Sequence, residues 1–300
     1  MDIDMMQAGF EGICSIDSPL EKIASGFQFT EGPVWSRREG VLRFSDIPSN
    51  RIHEWHPQKG LSVYREGSAM SNGLTYDPQG RLIACEHVGR RVSRTEADGT
   101  LTTLAILWEG KRLNSPNDVV SKSDGTIYFT DPDYGIKNQR VGVLAPQEIP
   151  FKGIFRVSPD GKTLTCVVRD FTQPNGLAFS PDEGTLYIND TLEGHIRAFE
   201  VRSDGSLANG RVFAKLSGEG NGRPDGMKVD TAGNVYCTGP GGIHVLTSSG
   251  SLLGRLRMPA VTANLAWGDA DWKSLYFTVQ DSVYRLRMNI AGIAVVGQRG

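Results

Sequence analysis

The chain has 300 residues, of which 39% are hydrophobic and 22% are charged, a composition that supports a sizeable core and excludes disorder as the main state. Its 32 basic and 34 acidic residues give a net charge of −2, which provides neither the basic surface of a nucleic-acid-binding protein nor a polybasic membrane patch. Glycine is over-represented, with 36 residues, which indicates many tight turns between short elements and argues against a helical bundle.

The first residues lack the basic and apolar regions of a signal peptide, and no segment approaches the ~18 apolar residues of a membrane-spanning helix. The four cysteines are far apart and form no C-x-x-C pair, as expected for free thiols in a reducing compartment. We therefore expect a cytoplasmic protein, or a periplasmic one if a leader has been removed. We also expect a monomer or a homodimer that binds neither nucleic acid nor membrane.

One short unit recurs six times along the chain: a polar residue, an alternating apolar run, a turn and a second apolar run. The units begin near residues 31, 72, 117, 175, 225 and 264, and a third apolar run follows in each. Each interval accommodates about four short strands, and a radial repeat of such units is a β-propeller. The sequence thus predicts an all-β fold, a six-bladed β-propeller with four-stranded antiparallel blades around a central channel. We expect residues 1–300 to form this one domain, with 1–21 as an N-terminal extension.

Two apolar segments, 23–29 and 290–296, flank the repeats. We expect one of them to complete the blade begun at the other end of the chain, because an unsealed ring would expose two sheet edges. The longest interval contains residues 135–150, which have few apolar residues. This segment is predicted to be a loop inserted on one face, where it could act as a lid.

The first polar residue of each unit falls at the same point of the innermost strand, so six polar side chains are expected to surround the channel axis. These ring positions are Glu31, Asn72, Asn117, Asn175, Asp225 and Asn264. Asn-Gly and Asp-Gly pairs are also turn dipeptides, so an alternative is that some of them only mark turns entering a strand. That alternative explains neither Glu31 nor the proline that precedes Asn117, Asn175 and Asp225.

Two carboxylates and two or more amide oxygens form an all-oxygen set that suits a hard divalent cation. Calcium matches it best, with magnesium, manganese or zinc as alternatives. Such a cation would also relieve the repulsion between Glu31 and Asp225 across a narrow channel. Among the five histidines, His87 alone follows a second strand near the predicted channel mouth, which makes it a candidate substrate contact.

Four separated segments, 31–35, 112–118, 174–177 and 223–227, resemble the signature segments of the SMP-30/gluconolactonase/luciferin-regenerating-enzyme family. Segments 114–118 and 128–135 are most similar to the bacterial gluconolactonases of that family. The resemblance implies a six-bladed propeller with one divalent metal ion, commonly calcium, in its channel.

The resemblance also implies roles for individual residues. It assigns metal binding to Glu31, Asn117, Asn175 and Asp225, and gives Asp225 the second role of general base. The segments that hold substrate hydroxyls in the family correspond here to Arg112, Asn114, Ser115, Asp131 and Tyr134. Asn72, His87 and Asn264 complete the expected substrate-binding set. Ser115 stands where animal members carry an arginine.

The expected activity is metal-dependent hydrolysis of a small sugar lactone, of the glucono-1,5-lactone type, with the metal polarising the carbonyl and Asp225 acting as general base. One alternative is that the same metal site hydrolyses organophosphates, aryl esters or other lactones. A second alternative is a non-enzymatic propeller scaffold that binds other proteins. The polar ring favours a sugar, and the pair of carboxylates counts against the scaffold.

Overall fold

The computed structural model describes residues 3–5, 9–15 and 17–298, which form antiparallel sheets arranged around a central channel. Two strands precede the first blade: β1 (Ile3–Met5) and β2 (Glu21–Ser25). Blade one contains β3 (Thr30–Ser36), β4 (Val41–Asp46), β5 (Arg51–His56) and β6 (Gly60–Glu66). Blade two contains β7 (Ser71–Tyr76), β8 (Leu82–Glu86), β9 (Arg91–Thr95) and β10 (Leu101–Ala105). A small hairpin follows, made of β11 (Leu107–Trp108) and β12 (Lys111–Arg112).

The other four blades repeat the pattern. Blade three contains β13 (Val119–Ser121), β14 (Ile127–Asp131), β15 (Lys152–Val157) and β16 (Leu164–Phe171). Blade four contains β17 (Pro174–Phe179), β18 (Thr185–Asp190), β19 (His195–Val201) and β20 (Leu207–Lys215). Blade five contains β21 (Met227–Val229), β22 (Val235–Gly239), β23 (Gly242–Leu246) and β24 (Leu252–Leu256). Blade six contains β25 (Thr262–Gly268), β26 (Ser274–Val279) and β27 (Ser282–Arg287). The predicted six-bladed propeller is confirmed.

Helix is scarce in the described part of the chain. A 3-10 turn spans Phe10–Gly12, and the short helix α1 spans Tyr134–Lys137 between β14 and β15. No helix in the described ranges has the length and apolar character needed to cross a bilayer. The cysteines are free thiols: Cys14, Cys85 and Cys237 are buried, and Cys166 is half-buried.

The ring is closed by the N-terminal strand. β2 pairs antiparallel with β27 and becomes the fourth strand of blade six, with Glu21 opposite Arg285 in the register. Glu21 and Arg285 also form an ion pair of 2.7 Å. The expectation that a terminal segment completes the blade begun at the other end is therefore confirmed, with the strand lying at 21–25. In the expected extension, β1 adds a fifth strand to blade five, while residues 1, 2, 6–8 and 16 lie outside the described residues.

The segment 290–298 crosses the end of the channel opposite the ring of polar residues. Gly292 forms a single antiparallel bridge with Asp230, and the N–H of Ile293 donates to the Val229 carbonyl at 3.2 Å. A side chain at Gly292 would collide with the indole of Trp267, since its Cβ would lie 1.8 Å from that ring. Farther along, Gln298 Oε1 accepts the N–H of Arg38 in blade one at 3.3 Å. The segment thus spans the channel floor from blade five to blade one.

Candidate active site

A cavity of about 590 Å³ opens at one end of the channel. Five of the six ring residues lie in its wall: Glu31, Asn72, Asn117, Asn175 and Asp225. His87 and Tyr134, both predicted from sequence, also line it, as do Thr191 and Arg223, which sequence reasoning did not place there. The chain thus concentrates polar side chains from five blades at one point of the channel, as the repeat alignment predicts.

Irregular pairing near the start of the inner strands aims these side chains. The register shifts between Glu31 and Val34 in β3, and at the equivalent places in β7, β17 and β25. A bulge of this kind breaks the in-and-out alternation of a strand and turns one side chain to a new direction. Four blades therefore use the same local device to present a polar residue near the axis.

The glycine that follows several ring residues serves a close contact between blades. The N–H of Gly73 donates to the carbonyl of Asn117 at 2.8 Å, and that of Gly176 donates to the carbonyl of Asp225 at 3.1 Å. A Cβ on Gly176 would lie 2.1 Å from that carbonyl oxygen. Gly73 and Gly176 lie inside strands, so the alternative reading of these Asn-Gly pairs as turns is wrong.

Three carboxylates, those of Glu31, Asp118 and Asp225, interact around the channel axis. Burial, together with the charge of Asp118, raises the pKa of Glu31 to about 7. Burial and the charges of Glu31 and Asp118 raise the pKa of Asp225 well above its usual range. Burial also raises the pKa of Asp118, an effect that the charge of Lys228 opposes. Three acids that depress one another's ionisation form a site that favours added positive charge.

The donor set fits a divalent cation. Asp118 Oδ2 is buried and has no hydrogen-bond partner in the described part of the chain. Within the described residues there is no group of three or more histidine, cysteine, aspartate or glutamate side chains that could hold a metal ion. A cation here would therefore depend on amide oxygens beside the carboxylates, which is a set that suits a hard ion such as calcium.

Two ring asparagines have their amide nitrogens tied to the wall. Asn175 Nδ2 donates to Thr191 Oγ1 at 3.2 Å, and Thr191 Oγ1 in turn donates to the Pro224 carbonyl at 2.7 Å. Asn72 Nδ2 lies 3.3 Å from His87 Nε2. Each contact leaves the amide oxygen as the atom available to a ligand in the cavity.

His87 is a fully buried link between the ring and the inserted segment. Its Nδ1 lies 2.9 Å from the carbonyl of Val141, which can only accept, so Nδ1 carries the proton and Nε2 accepts from Asn72. Burial lowers the pKa of His87 to about 4. His87 is therefore a neutral imidazole at neutral pH, and its Nε2 orients the amide of Asn72.

Asn264 does not line the cavity, although it occupies a ring position. Its Nδ2 donates to Glu31 Oε2 at 2.9 Å, and its Oδ1 accepts the N–H of Leu265 at 2.8 Å. Both functional atoms of the amide are thus used inside the protein. Asn264 therefore positions Glu31 in this structure, and its contact with substrate stays a prediction.

Four further residues predicted to hold substrate, Arg112, Asn114, Ser115 and Asp131, also lie outside the cavity wall. Asn114 donates its backbone N–H to Asp131 Oδ2 at 2.8 Å, and burial raises the pKa of Asp131 to about 7. Ser115 Oγ donates to the Pro132 carbonyl at 2.6 Å and accepts the N–H of Gly135 at 2.9 Å. These contacts hold the segment that carries Tyr134, so the three buried residues support the cavity wall, and their contact with substrate stays a prediction.

Arg112 holds the inserted segment from outside. Its backbone N–H donates to Glu148 Oε2 at 2.9 Å, and its guanidinium donates to the Gly89 carbonyl at 2.9 Å. Within the segment, Val141 and Ile149 are buried and Val143 N–H donates to the Gly135 carbonyl at 2.9 Å. Residues 135–150 lie on the cavity face, as predicted, and form a packed wall that contributes Asn138 and Val141 to its lining.

Tyr134 stands at the start of α1 and lines the cavity. Burial and the charge of Asp225 raise its pKa to about 12, so the hydroxyl keeps its proton. Tyr134 therefore offers the cavity a hydrogen-bond donor next to the carboxylates.

The family model for the SMP-30/Gluconolactonase/LRE-like region matches residues 29–281. The chain belongs to this family. A gluconolactonase of Zymomonas mobilis is 30% identical over 305 residues, covering 94% of this chain and 85% of that protein. A pentonolactonase of Haloferax volcanii is 30% identical over 254 residues, covering 83% of this chain and 80% of that protein.

Solved structures agree with this membership in the SMP-30/gluconolactonase/LRE-like family. A gluconolactonase of Xanthomonas campestris superposes with a TM-score of 0.90 at 34% identity, covering 96% of this chain and 95% of that one. The luciferin-regenerating enzyme superposes with a TM-score of 0.77 at 18% identity, which shows the shared fold alone.

Proposed function

We propose that the protein hydrolyses a sugar lactone of the glucono-1,5-lactone type to the open aldonic acid. The observation that carries the proposal is that Glu31 and Asp225 line one cavity together with Asn72 and Asn175, whose amide nitrogens are bonded within its wall. Aromatic residues contribute only Phe29 and Tyr134 to the lining that the structure describes. A polar wall of this kind suits a hydroxylated ring better than an aryl ester. The lactonase names of the relatives support the same reaction class.

In the proposed reaction, Asp225 accepts one proton and later returns it. Asp225 removes a proton from the attacking water as the water oxygen bonds to the lactone carbonyl carbon. The bond from that carbon to the ring oxygen then breaks, and Asp225 returns the proton to the departing oxygen as it becomes a hydroxyl. Tyr134, Asn72 and Thr191 are placed to orient the sugar hydroxyls.

We further propose that Glu31, Asn117, Asn175 and Asp225 hold one divalent cation, with calcium favoured over magnesium, manganese or zinc. When bound, such an ion supplies a Lewis acid that polarises the carbonyl and stabilises the developing negative charge. Asn264 keeps Glu31 oriented and Thr191 keeps Asn175 oriented, while the charge of Asp118 acts on Glu31 and Asp225.

The test is hydrolysis of glucono-1,5-lactone in a pH-stat, corrected for spontaneous hydrolysis, before and after EDTA and with each of the four metals added back. We expect activity that EDTA removes and one metal restores. Asp225→Asn should lower kcat by about 10²-fold or more, whereas Asp204→Asn, at an exposed turn, is the matched control. Turnover of an aryl ester or organophosphate but not of the sugar lactone would contradict the proposed substrate class.

A further inference from the structure

A second cavity of about 90 Å³ lies in the channel on the side that the segment 290–298 covers. It shares no lining residue with the main cavity. The residues that follow the six ring residues by three positions all line it and form a second ring deeper in the channel: Val34, Thr75, Val120, Ala178, Lys228 and Trp267. Among these six residues, Lys228 is the one that carries a charge.

Lys228 is held on the closed side of the channel. It belongs to the inner strand β21, three residues after Asp225, and its neighbours Met227 and Val229 are buried. Its Nζ donates to the Met227 carbonyl at 2.9 Å, and it forms no ion pair with any carboxylate in the described part of the chain. Because Ile293 N–H donates to the Val229 carbonyl at 3.2 Å, the covering segment packs directly against this strand. The ammonium group is thus placed in a mostly apolar space without a carboxylate of its own.

The charge of Lys228 acts on the carboxylate cluster of Glu31, Asp118 and Asp225. Burial raises the pKa of Asp118, and the charge of Lys228 is the largest effect that lowers it. Burial and the charge of Asp118 raise the pKa of Glu31, which the charge of Lys228 also lowers. Such an interaction is screened less in an enclosed apolar space than at a protein surface. Lys228 is therefore a fixed positive charge on the closed side of the cluster.

The charges at the centre of the channel leave room for one divalent ion. When ionised, the carboxylate cluster carries three negative charges, of which the ammonium of Lys228 offsets one. Two further charged residues line the cavities in the described part of the chain, and neither belongs to this balance. Glu183 pairs with Lys122 at 3.6 Å, and Arg223 is exposed at the rim. The remaining two negative charges are what a divalent cation neutralises.

We propose that Lys228 is the internal countercharge of the cation site. It stabilises the carboxylate cluster when no ion is bound, and it limits the charge that the site accepts to that of one divalent ion. This inference rests on the proposed function for the existence of a cation site, but not on the reaction. It makes Lys228 a residue that determines cation selectivity through its charge, from a position outside the lining of the main cavity.

Lys228→Met tests the proposal, because it removes the charge and keeps a side chain of similar length. We expect calcium affinity to rise by about tenfold, since the ion no longer approaches a fixed positive charge. The affinity for the trivalent ion terbium should rise more, so that the ratio of terbium to calcium affinity increases by about threefold. Calorimetric titration gives the calcium affinity, and displacement of bound calcium by terbium gives the ratio.

Two further variants provide controls. Lys228→Arg keeps the charge and should leave the ratio of terbium to calcium affinity unchanged. Lys273→Met removes the charge of another half-buried lysine, which precedes β26 and lines neither cavity, and should leave both affinities unchanged. A Lys228→Met protein with unchanged or weaker calcium affinity, or with an unchanged ratio, would overturn the proposal.

Urea denaturation separates the effect of charge from that of packing. The methionine changes packing equally with and without metal, so the shift in urea midpoint that calcium produces reports the charge alone. We expect this shift to be larger in Lys228→Met than in the wild type, and equal shifts would contradict the proposal. None of these measurements needs turnover. A protein that hydrolyses no lactone would therefore refute the proposed reaction and leave the result for Lys228 intact.

Discussion

Asn264 on the last blade donates a hydrogen bond of 2.9 Å to Glu31 on the first blade, across 233 residues of sequence. Both residues are buried, and the contact lies at the seam where the propeller closes. A neutral donor therefore holds a carboxylate at the centre of the candidate site. This hydrogen bond thus links the first and last blades and also orients a carboxylate in the wall of the cavity.

Asn264→Asp is the most direct test of that contact. The substitution replaces the donor with a second carboxylate facing Glu31, so the free energy of unfolding should fall by about 3 kcal/mol in EDTA. Asn209→Asp is a matched control, because Asn209 Nδ2 donates to Glu200 Oε2 at 2.6 Å on an exposed surface. There the loss should stay within about 0.5 kcal/mol. Urea denaturation of both variants measures the difference, and equal losses would contradict the role given to Asn264.

Thr191→Val tests whether the wall orients Asn175. The valine keeps the shape but removes the hydroxyl that accepts from Asn175 and donates to Pro224. We expect the affinity of the proposed calcium site to fall by about tenfold, because the amide is free to rotate and one hydrogen bond is lost. Thr172→Val, whose hydroxyl donates to Glu193 on the surface at 2.7 Å, is the control. Calcium titration by calorimetry gives both values, and unchanged affinity in Thr191→Val would rule out this orienting role.

His87 should make stability depend on pH. Its pKa of about 4 in the folded protein lies below the ordinary value of 6.5, so the unfolded chain binds more protons between these values. The contribution of neutral His87 to the free energy of unfolding is fully present above pH 6.5. About 3 kcal/mol of it is lost as the pH falls towards 4.

The buried Asp131 has the opposite effect on the pH dependence of stability, because its pKa is raised to about 7. The contribution of His87 is therefore measured as the difference in free energy of unfolding between the wild type and a His87 variant. The free energies of unfolding of the wild type and His87→Gln, measured from pH 4 to 7, should converge as the pH falls. His195→Gln, at a half-buried position on β19, is the control. If the free energies of unfolding of the wild type and His87→Gln changed in parallel with pH, His87 would not be the source of the pH dependence.

Gly73→Ala tests the contact between blades two and three. The new Cβ would lie 2.7 Å from the Asn117 carbonyl oxygen and 2.6 Å from Asp118 Oδ1, so the two strands must separate. We expect a loss of about 2 kcal/mol in the free energy of unfolding, together with weaker binding of calcium at the proposed site. Gly12→Ala is the control, because no atom lies within 4 Å of the Cβ it would add. A well-folded Gly73→Ala variant with wild-type calcium affinity would contradict this reading.

The repeat alignment predicted the propeller and five of the cavity residues because blades are equivalent units, so equal positions in sequence become equal positions around the axis. It did not predict that Asn264, whose strand is equivalent, bonds through its amide to Glu31. Segment resemblance alone assigned Asn114 and Ser115 to substrate binding, and it did not predict their hydrogen bonds to the 131–135 segment. Arg223 and Asp118 were missed as site residues because neither a loop residue nor a neighbour of a ring residue carries a periodic signal.

Within the described residues, the segment 290–298 covers one end of the channel. In the proposed reaction, the lactone and the acid product would use the opposite mouth, which the inserted segment and Arg223 border. The product must therefore leave before the next substrate enters, and the aldonate is expected to inhibit competitively. The same opening of the ring would then serve for the entry of substrate and for the release of product.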